Sequence, residues 1–168
     1  MKGNKKVLTA LDNQLADELT AINQYMVHSE MCENWGYNKL HMDIRKQAMD
    51  EMHHAEWLIE RIIFLEGLPT VSKLNPIKIG KTVSDMINND NNDELEAVRS
   101  YNDAIKLARS VDDQGTVELL SKILGMRRVT SIGRKFNVHR SNKWGLKIFW
   151  PIKQKAVQAS VPSISTSV

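Results

Sequence analysis

The chain has little cysteine and no long hydrophobic run. Cys32 is the single cysteine among 168 residues, so no disulfide can form within the chain, and a reducing compartment is expected. No apolar run reaches the roughly 18 residues of a membrane-spanning helix, and the N-terminal segment lacks the apolar core of a secretion signal. These absences predict a cytoplasmic protein with no membrane partner.

Acidic residues are missing from the last part of the chain. Residues 1–118 hold all 20 Asp and Glu together with 13 Lys and Arg, a net charge of −7. Residues 119–168 hold 10 Lys and Arg and no acid. The overall charge of +3 therefore combines two parts of opposite sign. A basic C-terminal segment is typical of nucleic-acid or membrane binding, unless its sequence has another origin.

Helical periodicity dominates the rest of the sequence. Hydrophobic residues make up 42% and charged residues 26%, as in a soluble globular protein. Two short-linked pairs of long helices joined by one long crossover, which contains Pro69 and Pro76, predict an all-α, ferritin-like up-down four-helix bundle. The predicted helices cover residues 5–34, 39–66 and 83–111, with a fourth starting near 115. We assign the bundle to residues 1–124 and a basic, partly disordered tail to residues 125–168.

Three carboxylates interrupt the apolar stripes of the predicted helices. Glu18 lies on the first stripe, Glu51 on the second and Glu94 on the third, and His54 follows Glu51 at i+3 on nearly the same face. A single Glu on such a stripe is usually a surface residue, and one Glu-x-x-His motif is common. Three buried carboxylates, however, need a shared counter-charge. A metal pair supplies it, and the oxygen-rich ligand set favours iron or manganese over zinc.

At this point the sequence resembles the bacterioferritins. The resemblance covers residues 1 to about 124 and is carried by the stretches MKGNKKVL, LADELTAINQYMVHSEMCENWG, DEMHHAEWLIERIIFLEGLPTV and LNPIKIGKTVSDMI. It implies a hollow 24-subunit shell that oxidises Fe(II) with O2 or peroxide at a di-iron site in each subunit and stores the ferric mineral inside. It also implies a haem b at a two-fold dimer interface, ligated by one methionine from each subunit. That methionine matches Met52.

The resemblance also implies roles for the residues of the candidate site. Glu18 and Glu94 would each bind one iron, Glu51 would bridge the two, and His54 would complete the first. Tyr25 could hydrogen-bond a ligand carboxylate or be a core tyrosine, and both interpretations stay open. The other histidines are expected on solvated faces and receive no role: His28, His41, His53 and His139.

The second Glu-x-x-His of the family is absent. It should lie on the fourth helix, one to two turns past Leu124, where this chain reads GMRRVT. If that helix continues, Arg127 would bring a cation to the carboxylates and neutralise them without metal. We therefore expect weak or no di-iron binding.

A shifted reading frame would explain both the missing motif and the basic tail. Permitted codons for residues 125–133, read one nucleotide earlier, encode D-E-E-G-H-I-D-W, which contains E-x-x-H in register. Residues 142–151 similarly permit Q-M-G followed by L-E-N-F-L-A, a run typical of the family. We hypothesise that the chain is frameshifted from about residue 125, which would corrupt the end of the fourth helix and the short fifth helix.

Three functions remain open at this stage. The first is an iron-storage ferroxidase with a damaged last quarter. The second is a non-catalytic haem-binding or assembly subunit of a bacterioferritin shell. The third, a ferritin-like DNA-binding protein that uses its basic tail, is disfavoured, because a shifted frame explains the tail without nucleic acid.

Overall fold

A computed structural model of the chain describes residues 2–127, and these form four helices. They are α1 (Lys5–Asn34), α2 (Asn38–Phe64) and α3 (Val83–Ser110), followed by α4, which covers residues 114–127 up to the end of the described part. The predicted all-α four-helix bundle is thereby confirmed. Within residues 2–127 none of the helices combines the length and the apolar character needed to cross a lipid bilayer.

The second helix is shorter at its C-terminus than predicted. It ends at Phe64 rather than at Glu66, because Glu66 takes a left-handed backbone conformation with φ of 60°. The next amide, that of Gly67, then donates to the carbonyl of Ile62 at 2.9 Å. This bond closes the last turn of the helix and turns the chain into the crossover.

Capping side chains fix where the next two helices begin. Thr82 and Asp85 form a capping box at the start of α3, in which each side chain accepts from the other's backbone amide. At the start of α4, Asp113 accepts from the amide of Thr116 at 3.1 Å and from its hydroxyl at 2.8 Å. Arg61 of α2 also donates to Asp113, at 2.6 Å, so this cap joins two helices.

The crossover between α2 and α3 runs along α1. Polar side chains of α1 bind it at four successive points. Asp12 accepts a hydrogen bond from the amide of Thr70, and Asp17 accepts one from the side chain of Asn75. Further along α1, Gln24 accepts from the amide of Lys78, and His28 accepts from the amide of Gly80. The crossover thereby returns the chain to the end of the bundle where α2 began. As a result α1 is antiparallel to both α2 and α3.

Two apolar clusters fill the bundle, one towards each end. The larger contains Leu11, Leu15, Leu58, Ile62, Tyr101, Leu120 and Ile123, and the smaller contains Tyr25, Cys32, Ile44, Ala48 and Met86. On α1, α2 and α3 the predicted carboxylates lie between the residues of these two clusters. The polar site is therefore a buried layer at mid-length of the bundle.

Candidate metal centre

The bundle brings the predicted carboxylates and histidine together in its interior. Glu18 of α1 is 0% exposed, Glu51 and His54 of α2 are 4% and 3% exposed, and Glu94 of α3 is 5% exposed. Each carboxylate lies on the apolar stripe of its helix, so burying the stripe carries the carboxylate inward. The free-energy cost of burying these charges has to be offset inside the site.

Arg127 of α4 supplies the counter-charge. Its Nη2 donates to Glu18 Oε2 at 2.5 Å and to Glu51 Oε2 at 2.9 Å, and its Nη1 donates to Glu94 Oε2 at 3.0 Å. The arginine is itself 4% exposed. One guanidinium thus links carboxylates from three helices, and such charge-assisted bonds are among the stronger ones in proteins.

His54 is a second cation of the site. Its Nδ1 lies 2.7 Å from Glu51 Oε2 and 3.5 Å from Glu18 Oε2. Burial acts to lower the pKa of His54, but its bonds with the two carboxylates raise that pKa to about 9. The ring is therefore protonated at neutral pH and donates from Nδ1. A nitrogen that donates a proton offers no lone pair to a metal ion.

The two neighbouring carboxyl groups have opposite pKa shifts. Although burial acts to raise it, the charge of Arg127 holds the pKa of Glu18 well below its usual range. Burial raises the pKa of Glu51 to about 7, because the attraction of Arg127 is partly offset by repulsion from Glu18. Of the two, Glu18 is therefore held more strongly in its charged form, and Glu51 takes up a proton more readily.

Tyr101 is a further member of the site, which sequence reasoning missed. Its hydroxyl donates to Glu18 Oε1, and burial raises the pKa of this phenol well above its usual value, so it stays protonated. The signal was present in the sequence, because Tyr101 lies two turns after Glu94 on the same stripe of α3. Tyr25, the tyrosine considered from sequence, is also buried and lines a cavity next to the site.

That cavity connects the site with the crossover side of the bundle. It has a volume of about 510 Å³ and reaches Glu94 and Arg127. Asp17 and Asp93 are among the acidic residues that line it. Lys78 also lines it, and its Nζ lies 2.6 Å from Asp93 Oδ1. Most of the charged side chains that line the cavity are therefore acidic.

Within residues 2–127, the side chains of the site do not fit a pair of metal ions. Ligand atoms of Glu18, Glu51 and His54 lie within 4.8 Å of one another, close enough for one cation. A second ion would have Glu94 and a share of Glu51, and Arg127 already bonds to both. The guanidinium would also repel either ion at this range. The arrangement is an internal ion-pair network with the ligand chemistry of half a di-iron site.

Met52 lies outside this network. It is 42% exposed, whereas the adjacent Glu51 is 4% exposed, so the two side chains lie on different faces of α2. Its assignment as a haem ligand stays a prediction.

The prediction of solvated histidines is wrong for His28. This residue is 0% exposed; its Nε2 accepts from the amide of Gly80 at 3.0 Å, and its Nδ1 lies 3.2 Å from Asp90 Oδ1. The path of the crossover buries it, and no local pattern in the sequence reports that path. His53 is exposed, with 63% of its side chain accessible, and His41 is half-buried. His139, residue 130 at the histidine position of the missing motif, and most of the predicted tail lie outside the described residues.

Comparisons with known proteins agree with this architecture. A family described as Ferritin-like domain matches residues 8–128. A bacterioferritin of Mycolicibacterium paratuberculosis is 40% identical over 124 residues, which cover 74% of this chain and 78% of the relative. A bacterial ferritin of Synechocystis sp. is 41% identical, over 74% of this chain and 80% of the relative. A Brucella melitensis bacterioferritin is 36% identical, over 74% of this chain and 77% of the relative. The chain thus belongs to the ferritin family and, within it, to the bacterioferritins.

Proposed function

We propose that the chain is an iron-storage subunit of the bacterioferritin type whose carboxylate site is closed by its own arginine and oxidises Fe(II) poorly. Family membership supports the storage role. The proposed poor oxidation of Fe(II) rests on the hydrogen bonds that Arg127 donates to Glu18, Glu51 and Glu94.

The ion-pair network opposes metal entry. A metal ion could reach the carboxylates only by displacing the guanidinium, which would then be a buried cation without its partners. Breaking a buried ion pair typically costs about 3–5 kcal/mol. His54 adds to this cost, because it must lose a proton before it can bind a metal. Glu18, Glu51, His54 and Glu94 are proposed as remnants of the family's di-iron site.

The shifted frame is proposed as the origin of Arg127. This residue stands where the permitted alternative codons place the Glu of the missing motif. The acidic bundle would then be the functional part, located in the cytoplasm, with Fe(II) and O2 or peroxide as its substrates. The proposal gives nucleic acid no role. Sequencing the gene around codons 120–133 tests it: codons that cannot encode D-E-E-G-H in the neighbouring frame would exclude a shift.

A non-catalytic haem-binding or assembly subunit is the second candidate function. It is favoured by the combination of a closed carboxylate site with an outward-facing Met52. In this proposal two copies of the chain hold one haem b at a two-fold interface of a 24-subunit shell. Haem absorption that disappears in Met52→Leu, but persists in a control Met42→Leu variant of another exposed methionine of α2, would support it. Haem retention in Met52→Leu would exclude it.

Iron oxidation by the purified chain tests the first proposal. We expect slow formation of Fe(III) when a few Fe(II) ions per subunit are added with O2, compared with a bacterioferritin that has both Glu-x-x-His motifs. Rapid oxidation at the rate of that reference protein would contradict the proposed closure by Arg127.

A further inference from the structure

A second group of metal-ligating side chains lies at the turn between α1 and α2. Glu30 and Glu33 are three residues apart on α1 and share a face. His41 belongs to the first turns of α2. One ligand atom from each of the three lies within 4.8 Å of the others. Both carboxylates are exposed, so an ion can reach them directly from solvent.

The turn itself sets the position of His41. Gly36 adopts a left-handed backbone conformation with φ of 78°, its amide donates to the carbonyl of Glu33 at 2.8 Å, and the amide of Tyr37 donates to the carbonyl of Cys32 at 2.8 Å. These bonds end α1 and start α2 within a few residues. Because the two helices then run antiparallel, His41 is placed beside the last turns of α1.

Ser29 fixes the tautomer of His41. The Nδ1 of His41 lies 3.1 Å from the backbone carbonyl oxygen of Ser29, which can only accept, so Nδ1 carries the proton. The Ser29 hydroxyl, 3.0 Å from Nδ1, donates to the carbonyl of His41 and can accept from the ring as well. Ser29 is 0% exposed, so water does not compete for these bonds at the serine. The tautomer that this bond selects carries its lone pair on Nε2.

This arrangement is the one that metal-binding histidines commonly have. A ligating imidazole usually donates its other ring N–H to a carbonyl or carboxylate, which orients the ring. We propose that Glu30, Glu33 and His41 form a surface site for a divalent first-row transition-metal ion, with water in the remaining positions. An imidazole ligand favours Zn²⁺ or Fe²⁺ over Mg²⁺ and Ca²⁺, and the general order of affinities places Zn²⁺ above Fe²⁺ and Mn²⁺.

A nearby arginine competes with the ion, but weakly. Arg45 Nη1 lies 3.2 Å from Glu30 Oε1, and both side chains are about half exposed, at 48% and 56%. Exposed ion pairs contribute little free energy, so a metal ion can displace Arg45. Arg127 differs in this respect, because it is buried with its partners. Arg45→Gln is therefore expected to increase metal affinity at the surface site.

Calorimetric titration of the full-length chain with Zn²⁺ tests the site. We expect His41→Gln and Glu33→Gln each to lower Zn²⁺ affinity by about tenfold or more, and Arg45→Gln to raise it severalfold. The control is His53→Gln. His53 lies 3.2 Å from Glu56 at i+3, an exposed His–Glu pair that belongs to neither three-residue ligand group among the described residues. The His53→Gln variant should therefore bind Zn²⁺ with the same affinity as the parent chain.

The opposite results would overturn the site. An unchanged Zn²⁺ affinity in His41→Gln would exclude this histidine as a ligand. An equal loss of Zn²⁺ affinity in His53→Gln would show that exposed side chains bind Zn²⁺ without a specific site. Lower affinity in Arg45→Gln would contradict the proposed competition for Glu30. The circular dichroism of each variant, with α-helical content equal to that of the parent chain, establishes that the differences arise at the site.

Discussion

Arg127 Nη2 lies 2.5 Å from Glu18 Oε2, and both side chains are almost fully withdrawn from solvent. The two residues are 109 positions apart, on the first and the fourth helix. Their ion pair closes the bundle at mid-length, in the place where the bacterioferritin resemblance implies a pair of irons. The stability expected of the bundle and the proposed closure of the site to metal ions both depend on this pair.

Replacing Arg127 with methionine should destabilise the bundle strongly. Arg127→Met keeps much of the side-chain volume but removes the guanidinium that bonds to all three buried carboxyl groups. We expect a loss of about 3–5 kcal/mol in the free energy of unfolding at neutral pH, measured by urea denaturation. The loss should be smaller at acid pH, because in the variant the buried carboxyl groups lack the guanidinium that keeps them charged and can take up protons.

Arg109→Met is the matched control, because Arg109 is an exposed residue in the last turn of α3. It should change the stability by a few tenths of a kcal/mol. Equal losses in the two variants would mean that the buried network does not hold the bundle together.

Tyr101→Phe should cost less than the arginine variant. It removes the hydroxyl that donates to Glu18 and leaves the ring in the apolar cluster. A lost hydrogen bond to a buried charged group costs about 1.5–3 kcal/mol. Thermal unfolding measures this loss, and Tyr37→Phe at the half-buried turn serves as the control. A Tyr101→Phe chain as stable as the parent would show that Glu18 is satisfied without the phenol.

Asp113→Asn should make the stability less dependent on pH. Burial acts to raise the pKa of Asp113, but hydrogen bonds from Thr116 and the charge of Arg61 lower it below the usual value. Because the pKa is lower in the folded chain, the carboxylate stabilises the fold above about pH 4, and this stabilisation is lost as the pH falls through the folded pKa.

The difference in unfolding free energy between Asp113→Asn and the parent chain should therefore be present at pH 7 and should shrink as the pH falls below about 4. Asp103→Asn, which removes an exposed carboxylate paired with Lys106 at 3.0 Å, should show little difference at either pH. A pH-independent loss in Asp113→Asn would contradict the role of its charge.

Gly80→Ala should disturb the crossover. A Cβ at this position would lie 2.3 Å from the amide nitrogen of Met86 and 2.7 Å from its Cα, so the backbone would have to shift. The shift would weaken the bond from the Gly80 amide to His28. We expect a lower thermal unfolding temperature and faster amide exchange in residues 70–82.

Gly125→Ala is the control, and it should change the stability in the opposite direction to Gly80→Ala. No atom lies within 4 Å of a Cβ at this helical position, and alanine favours helix over glycine by about 1 kcal/mol. This variant should be slightly more stable than the parent. If both glycine variants lose stability equally, the close approach at Gly80 is not the cause.

The sequence was sufficient to predict those parts of the fold and site that depend on local periodicity. Glu18, Glu51 and Glu94 could be identified because each interrupts a helical stripe, and burial of the stripes brings them together. Helix ends were predicted less well, because the end of α2 depends on the left-handed conformation of Glu66.

Contacts between distant segments were harder to foresee. The burial of His28 depends on the path of the crossover, and the role of Tyr101 depends on the rotation of α3 relative to α1. The contact of Arg127 with the carboxylates was predictable only on condition that α4 continued past Leu124, which it does.

Co²⁺ binding to the buried site is the measurement that most directly tests closure by Arg127. The visible absorption of Co²⁺ would be followed in full-length chains that carry His41→Gln, which removes the proposed surface site, with Arg127 kept or changed to Glu or Gln. Arg127→Glu should bind Co²⁺ at least about tenfold more tightly than the chain with Arg127, and Arg127→Gln should fall between. Equal, tight binding by all three chains would contradict the conclusion that the arginine closes the site.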